Sequence, residues 1–129
     1  MRTYMLPALL MAVALAAGCS DRASRAPERI DIRGRITGII SASPEMRRAH
    51  AVQGFIRVEG AREPDTQYDR AAITITDSTA ITVMEGETPG DGKFAALKKG
   101  DSVEATFTGP VRESYPVQMT ASHVRVIGR

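Results

Sequence analysis

Apolar and polar residues alternate along most of the chain after residue 29. In the first such run, isoleucines and glycines occupy every second position, and charged or hydroxyl side chains occupy the positions between them as far as Thr37. Because residues at every second position share one face of a β-strand, this run predicts a strand with one buried and one exposed face. The face expected to be buried consists of Ile30, Ile32, Gly34, Ile36, Gly38 and Ile40.

The same period of two recurs in the later apolar runs. Leu97 is the only leucine after residue 15, whereas isoleucine, valine and threonine recur in each run. Since β-branched side chains suit strands better than helices, the composition predicts an all-β domain. The later strands are expected at Val52–Glu59, Ala71–Thr76, Val103–Thr108 and Val124–Ile127, with a short piece at Ile81–Val83.

The connections between these runs indicate the architecture. Ser41–His50 and Ala61–Arg70 are expected to be loops, and Glu85–Gly100 is rich in turn residues. Within that last segment, Lys93–Lys98 could form a short helical turn that ends at Gly100. Five strands with a helical turn between the third and fourth predict a small OB-like Greek-key barrel, and a small β-sandwich is the alternative.

The first 19 residues have the order of a bacterial lipoprotein signal peptide. A basic residue, Arg2, precedes an apolar stretch of about a dozen residues, which is shorter than the roughly 20 of a spanning helix. Small residues then lead to Cys19, whose thiol would receive a lipid after cleavage. The alternatives are an ordinary secretory peptide followed by a free cysteine, or an uncleaved anchor. We expect a signal peptide at 1–18, a flexible polar tether at 19–29 and the β-domain at 30–129.

Charge and cysteine content exclude several classes of protein. The chain has 17 basic and 15 acidic residues, a net charge of +2, and both signs are interspersed along the domain. Such a balance argues against a protein built around polyanion binding. Because Cys19 is the only cysteine, the domain can form neither an internal disulfide nor a CxxC redox pair.

The segment Gly-Pro-Val-Arg-Glu-Ser-Tyr-Pro-Val-Gln, from Gly109 to Gln118, resembles the YobA-like family of small bacterial proteins. The resemblance extends from Leu97 to Ile127 and, with the Gly34 and Ala72–Ile81 segments, covers most of residues 30–127. It implies an OB-like domain in the cell envelope, often lipid-anchored, and it implies no reaction.

No catalytic motif is evident in the sequence. His50 and His123 are the only histidines, and neither lies in an HxH or HExxH spacing, so no metal site or cofactor is expected. We therefore expect a protein that is not an enzyme. A hydrolase using loop carboxylates is the remaining enzymatic alternative, and its candidates are Glu59, Glu63, Asp65, Asp69 and Asp77.

An OB-like barrel would place a binding surface on its second and third strands, beside the loops that join strands one to two and four to five. Arginine suits carboxylate or phosphate oxygens, and an aromatic face suits a sugar ring or a base. The candidate ligand-binding residues are Arg47, Arg48, Phe55, Arg57, Arg112 and Tyr115. The alternatives are a solvated Arg47–Arg48 pair, a Tyr115 that closes the barrel end, and a Phe55 shifted into the core by a bulge.

Together these patterns predict a membrane-anchored envelope lipoprotein that binds a protein, peptide or glycan partner. Ser20, rather than aspartate, follows Cys19, which favours the outer membrane facing the periplasm if the cell is Gram-negative. An oligonucleotide binder is an alternative, but the domain has few aromatic residues for stacking bases, so nucleic acid is not the expected partner.

The anchor can be tested by replacing Cys19 with serine, which removes the thiol that would be lipidated. The Cys19→Ser chain should no longer incorporate labelled palmitate in cells and should leave the membrane fraction. Ser20→Ala, at the next position, should keep both properties. Labelling of Cys19→Ser at the wild-type level would show that the lipid is not attached at Cys19.

Overall fold

The computed structural model describes residues 29–129, so the predicted signal peptide, Cys19 and most of the predicted tether lie outside the described residues. The described part contains seven strands, one short helix and one 3-10 helical turn. In chain order these are β1 (Ile32–Ser41), α1 (Pro44–His50), β2 (Val52–Glu59), β3 (Arg70–Thr76), β4 (Ala80–Glu85), β5 (Thr88–Gly92), the helical turn (Phe94–Ala96), β6 (Ser102–Arg112) and β7 (Val117–Gly128).

The prediction of an all-β domain is confirmed, but the count of five strands is too low. The short piece at Ile81–Val83 belongs to a complete strand, β4, and the turn-rich segment after it contains β5. β4 and β5 form an antiparallel hairpin at one end of the sheet order β3-β2-β1-β6-β7-β4-β5. The expected helical turn is present as the 3-10 turn that precedes β6.

β7 joins the two halves of the sheet. It pairs antiparallel with β6 along most of its length, and it pairs parallel with β3 from Ala71↔Val117 and with β4 from Ala80↔His123. β3 and β4 therefore lie one after the other along the same edge of β7. As a result β1, β2, β3, β7 and β6 are paired in a cycle, since β6 also pairs with β1.

The buried face of the sheet is built mainly from β-branched residues, as the alternation predicts. Along β2 every second residue from Val52 to Val58 is buried. Tyr68, in the loop before β3, packs against Phe107 with ring centroids 5.8 Å apart. The largest core side chains that are fully buried are Ile32, Ile36, Ile56, Ile73, Ile75, Val58, Val103, Val124 and Val126.

A β-bulge in β1 changes which of its residues face the core. Ile36 pairs with Val58, but the next paired residue is Gly38, opposite Arg57, so one residue of β1 has no partner. Because side chains alternate along a strand, one extra residue moves the following side chains to the other face. Ile40 is therefore 67% exposed, and the prediction that it shares the buried face of Ile32 and Ile36 is wrong.

The predicted loop Ser41–His50 contains the helix α1. Ser43 caps it by accepting a hydrogen bond from the Met46 amide at 3.3 Å, Pro44 occupies the first turn, and Ala51 ends it in a left-handed conformation. Both starting residues are typical of a helix N-terminus. Helix α1 has seven residues and none is buried. Within residues 29–129, no helix is long and apolar enough to cross a membrane.

Buried Asp31 fastens the start of the domain to β6. It is 2% exposed, and its carboxylate accepts hydrogen bonds from the Phe107 amide at 2.8 Å and from the Arg29 guanidinium at 3.1 Å. A buried carboxylate is tolerated when its oxygens are satisfied in this way. The contact with Asp31 places Arg29, the last residue of the predicted tether, against the folded domain.

Phe94 covers the other end of the sheet by packing directly over Gly54 of β2. A Cβ atom at Gly54 would lie 2.3 Å from Cζ of Phe94 and 2.6 Å from the carbonyl oxygen of Ile40. Glycine at this position is therefore required by the close approach of both groups.

Gly54→Ala should destabilise the domain by about 1–3 kcal/mol, because Phe94 and the β1 backbone must move to admit the methyl group. Urea unfolding followed by circular dichroism measures the change. Gly90→Ala is the matched control, since the nearest atom to its added Cβ, the carbonyl oxygen of Val83, is 3.5 Å away. Equal stabilities of the two variants would contradict this packing.

Candidate functional site

The outward side chains of four neighbouring strands form one continuous surface, which we call the outer face. Pairing aligns Phe55 of β2 with Ile40 of β1 and Thr74 of β3, and it aligns Thr74 with Thr120 of β7. The next row runs from Gly38 through Arg57 and Ala72 to Gln118, and Glu59 lies beside Arg70 at the end of β2. The residues of the outer face are Gly38, Ile40, Phe55, Arg57, Glu59, Arg70, Ala72, Thr74, Gln118 and Thr120.

The middle of the outer face is apolar. Ile40 is 67% exposed and lies opposite the half-buried ring of Phe55. These two residues, together with Gly38, Arg57 and Ala72, line a depression of about 200 Å³. Gly38 and Ala72 have small or no side chains and leave room above the sheet, so Ile40 and Phe55 form the walls of the depression.

Tyr115 lies at the rim of the outer face and is 66% exposed. Its ring stacks near the Arg70 guanidinium, with 5.5 Å between the guanidinium carbon and the ring centroid, and its hydroxyl donates to Asp69 at 3.3 Å. Arg70 is also 3.4 Å from the Glu59 carboxylate. These contacts orient an exposed ring beside β3, and the attraction between a cation and an aromatic face stabilises the arrangement.

The structure places the six predicted ligand-binding residues in two regions. Phe55 and Arg57 project from the outer face, as the alternation predicts, and Tyr115 is at its rim. Exposed Arg112 ends β6 opposite Gln118, near the same end of the sheet. The remaining two, Arg47 and Arg48, are on α1 at the opposite end of β2. The two predicted loops therefore do not meet in one site.

Several residues of the outer face were not predicted from the sequence. Gly38 and Ile40 were assigned to the buried face because the bulge in β1 was not recognised, although the adjacent isoleucines Ile39 and Ile40 interrupt the alternation. Arg70 was assigned to a loop, whereas it is the first residue of β3 and pairs with Glu59. The Arg-Ala-Ala-Ile order at the start of β3 continues the period of two. Starting the predicted strand one residue earlier would therefore have placed Arg70 on its outward face.

The loop carboxylates considered for hydrolysis are engaged with other side chains. Arg33 binds Glu63 at 2.9 Å, Asp65 at 2.7 Å and Glu104 at 2.9 Å. Its hydrogen bonds to Asp65 and Glu104 raise the pKa of Arg33, and the hydrogen bond from Arg33 lowers the pKa of Asp65. These ion pairs fasten the β2–β3 loop to the sheet.

The other carboxylates in that set have partners too. Asp77 accepts a hydrogen bond from the Gln53 side chain, and Glu59 and Asp69 are held by Arg70 and Tyr115. Across residues 29–129, histidine, aspartate and glutamate form no group of three that could hold a metal ion.

His123 of β7 is half-buried, and its Nε2 lies 2.9 Å from the Thr82 hydroxyl of β4. Burial lowers the pKa of His123 below its ordinary value of 6.5, and the nearby positive charge of Arg125 lowers it further. The histidine thus links the parallel strands β4 and β7 most favourably in its neutral form.

Comparisons of this chain with protein-family models, curated proteins and solved structures gave no match.

The lowered pKa of His123 predicts how stability depends on pH. Between the folded and unfolded pKa values the unfolded chain binds more protons, so the stability that His123 contributes is present above pH 6.5 and is lost as the pH falls through its folded pKa. The free energy of unfolding in urea should therefore decrease between pH 7.5 and pH 5.5, and the decrease should be smaller in His123→Asn.

His50→Asn is the matched control for this experiment, because it removes the other histidine, at the exposed end of α1, and keeps His123. It should show the wild-type difference between the two pH values. If His123→Asn and the wild type lost the same stability on acidification, the assignment to His123 would be wrong.

Proposed function

We propose that this protein is a lipid-anchored envelope lipoprotein that binds a protein or peptide partner through its outer face and catalyses no reaction. The observation that carries this proposal is the exposure of Ile40 beside Phe55 in the middle of a four-strand surface. A single exposed apolar side chain is common, but an apolar centre surrounded by arginine and tyrosine is typical of interaction surfaces.

The size of the depression supports a macromolecular partner. Its volume of about 200 Å³ is below the roughly 300–1,000 Å³ of sites that enclose a small molecule. It is suited to one inserted apolar side chain of a partner. The surrounding strands would supply a flat contact area around that side chain.

The charges around the depression support a partner with an acidic group beside the apolar one. Arg57 lines the depression and is exposed. Arg35, which is also exposed, lies on the neighbouring strand β1 opposite Glu59, outside the lining of the depression. Within the described part of the chain, neither arginine lies within 4.0 Å of a carboxylate. Both guanidinium groups are therefore available for a carboxylate of the partner.

We also propose that the domain is an OB-like barrel related to the YobA-like family. The cyclic pairing of β1, β2, β3, β7 and β6, with a parallel contact between β3 and β7, supports a closed five-stranded unit to which the β4–β5 hairpin is added. In such a barrel the second and third strands carry the ligand surface, and these correspond to β2 and β3 here.

The proposed anchor would hold this surface close to a membrane. Cys19 carries the lipid in this proposal, and nine residues, from Ser20 to Glu28, separate it along the chain from the described domain. The confined domain would meet membrane-associated partners at a raised effective concentration. If the cell is Gram-negative, the proposed location is the periplasmic face of the outer membrane.

The outer face can be tested by placing a photo-crosslinking amino acid at position 40 of the full chain and irradiating living cells. The expected result is a discrete adduct with an envelope protein, identified by mass spectrometry. Arg57→Glu should reduce that adduct at least several-fold, because it reverses the charge beside the depression. Since Arg57 is exposed, the substitution should leave the fold intact.

Two controls distinguish binding at the outer face from nonspecific association. The same crosslinker at Lys99, an exposed position that lies outside the outer face, should give no such adduct, and Arg48→Glu should leave the adduct from position 40 unchanged. Identical adducts from positions 40 and 99 would overturn the proposal. Crosslinking to nucleic acid instead of protein would favour the oligonucleotide alternative.

A further inference from the structure

A second concave region lies at the opposite end of β2 from Tyr115, around the ring of Phe94. It consists of two adjoining depressions of about 350 and 460 Å³, which share Gln53, Lys93 and Phe94 as lining residues. We call the two together the Phe94 cleft. Each depression falls within the size range of small-molecule sites, unlike the one on the outer face.

Core packing and backbone hydrogen bonds hold the residues that line the cleft in place. Phe94 packs against the core and over Gly54, and the Lys93 carbonyl accepts a hydrogen bond from the Ala96 amide at 2.8 Å. On the other side, Asp77 is held by its backbone bond to Ala51 at 2.9 Å. A cleft with such walls is largely formed before any ligand binds, which reduces the ordering cost of binding.

Two cations converge on one of the two depressions. Arg47 of α1 and Lys93 both line the larger one, and Ser41, Gln53 and Phe94 complete its polar and aromatic walls. Among residues 29–129, no carboxylate lies within 4.0 Å of either cation. A guanidinium and an ammonium lining one concave wall suit a ligand with a carboxylate or phosphate group.

The remaining lining groups indicate what else the ligand carries. The Phe94 ring is half-buried and stands between the two depressions, so it presents an apolar surface next to the cations. The Ser41 hydroxyl and the Gln53 amide line the cleft and can bond to hydroxyl groups, whereas the hydroxyls of Thr76 and Thr79 are already hydrogen-bonded within the protein. An aromatic wall with a few polar groups and a cation pair matches a hydroxylated ring that bears an anionic group.

We propose that the Phe94 cleft binds a sugar carrying a carboxylate or phosphate group, with the anionic group between Arg47 and Lys93 and the ring against Phe94. The cleft shares no lining residue with the depression on the outer face. This proposal therefore does not rest on the proposed protein-binding function.

The test is a titration of the full chain in detergent micelles, followed by the backbone amide signals of Gln53, Lys93 and Phe94 in nitrogen-15 NMR spectra. Glucuronate and glucose 6-phosphate are the probes, and at least one should cause saturable shifts at these amides. Arg47→Gln and Lys93→Gln should each weaken that binding about tenfold, because each removes a charged hydrogen bond.

Arg48→Gln is the matched control, since Arg48 is the next residue of α1 and is exposed outside the cleft lining. It should change the affinity less than twofold, and the outer-face variant Phe55→Ala should retain binding. Glucose, which lacks the anionic group, should bind at least tenfold more weakly than the charged sugar.

Three results would overturn the proposal. One is the absence of saturable shifts at the cleft amides with both charged sugars. Another is equal binding of inorganic phosphate alone, which would mean that the ring contributes nothing. The third is an equal loss of affinity in Arg47→Gln and Arg48→Gln, which would show a diffuse effect of positive charge instead of a site.

Discussion

The fold depends on β7, because this strand pairs with strands that are far from it in the sequence. It pairs with β6 through a short hairpin, but it also pairs in parallel with β3 and β4, which precede it by more than 30 residues. Parallel pairing needs a long connection, and here β5, the 3-10 turn and β6 supply it. Without β7 the β4–β5 hairpin would have no pairing to the other strands.

This pairing also determines where the exposed surfaces lie. With β3 held against β7, the outward side chains of β1, β2, β3 and β7 align in rows across four strands. The bulge in β1 then turns Ile40 outward beside Phe55. The apolar centre of the outer face is thus a product of register, since it depends on which residue of β1 lacks a partner.

The two ends of the sheet are stabilised by different interactions. At the end where the chain enters, charged groups dominate: Asp31 binds the Phe107 amide, and Arg33 gathers three carboxylates from the loop and β6. Exposed ion pairs contribute little individually, but a network with one partly buried arginine orients a loop effectively. At the other end Phe94 packs over Gly54, and the adjacent polar walls leave the cleft open. Arg29, at the start of the described residues, and the Phe94 cleft are therefore at opposite ends of the domain.

The sequence by itself determined the fold class and most strand positions, because the period of two is a local property that each strand shows alone. It correctly oriented Phe55 and Arg57, whose strand β2 alternates from end to end. It missed α1, although Ser43 and Pro44 carry the local signal of a helix start, because the segment is short and has no apolar period.

Only the tertiary structure decided how the candidate residues are grouped. The loop with Arg47 and the hairpin with Tyr115 lie at opposite ends of β2, so the single surface expected from six residues became two regions. The exposure of Ile40 and the parallel contact of β7 with β3 and β4 were equally beyond the sequence pattern. Register and long-range pairing are set by the joint packing of distant strands, and no stretch of the chain records them locally.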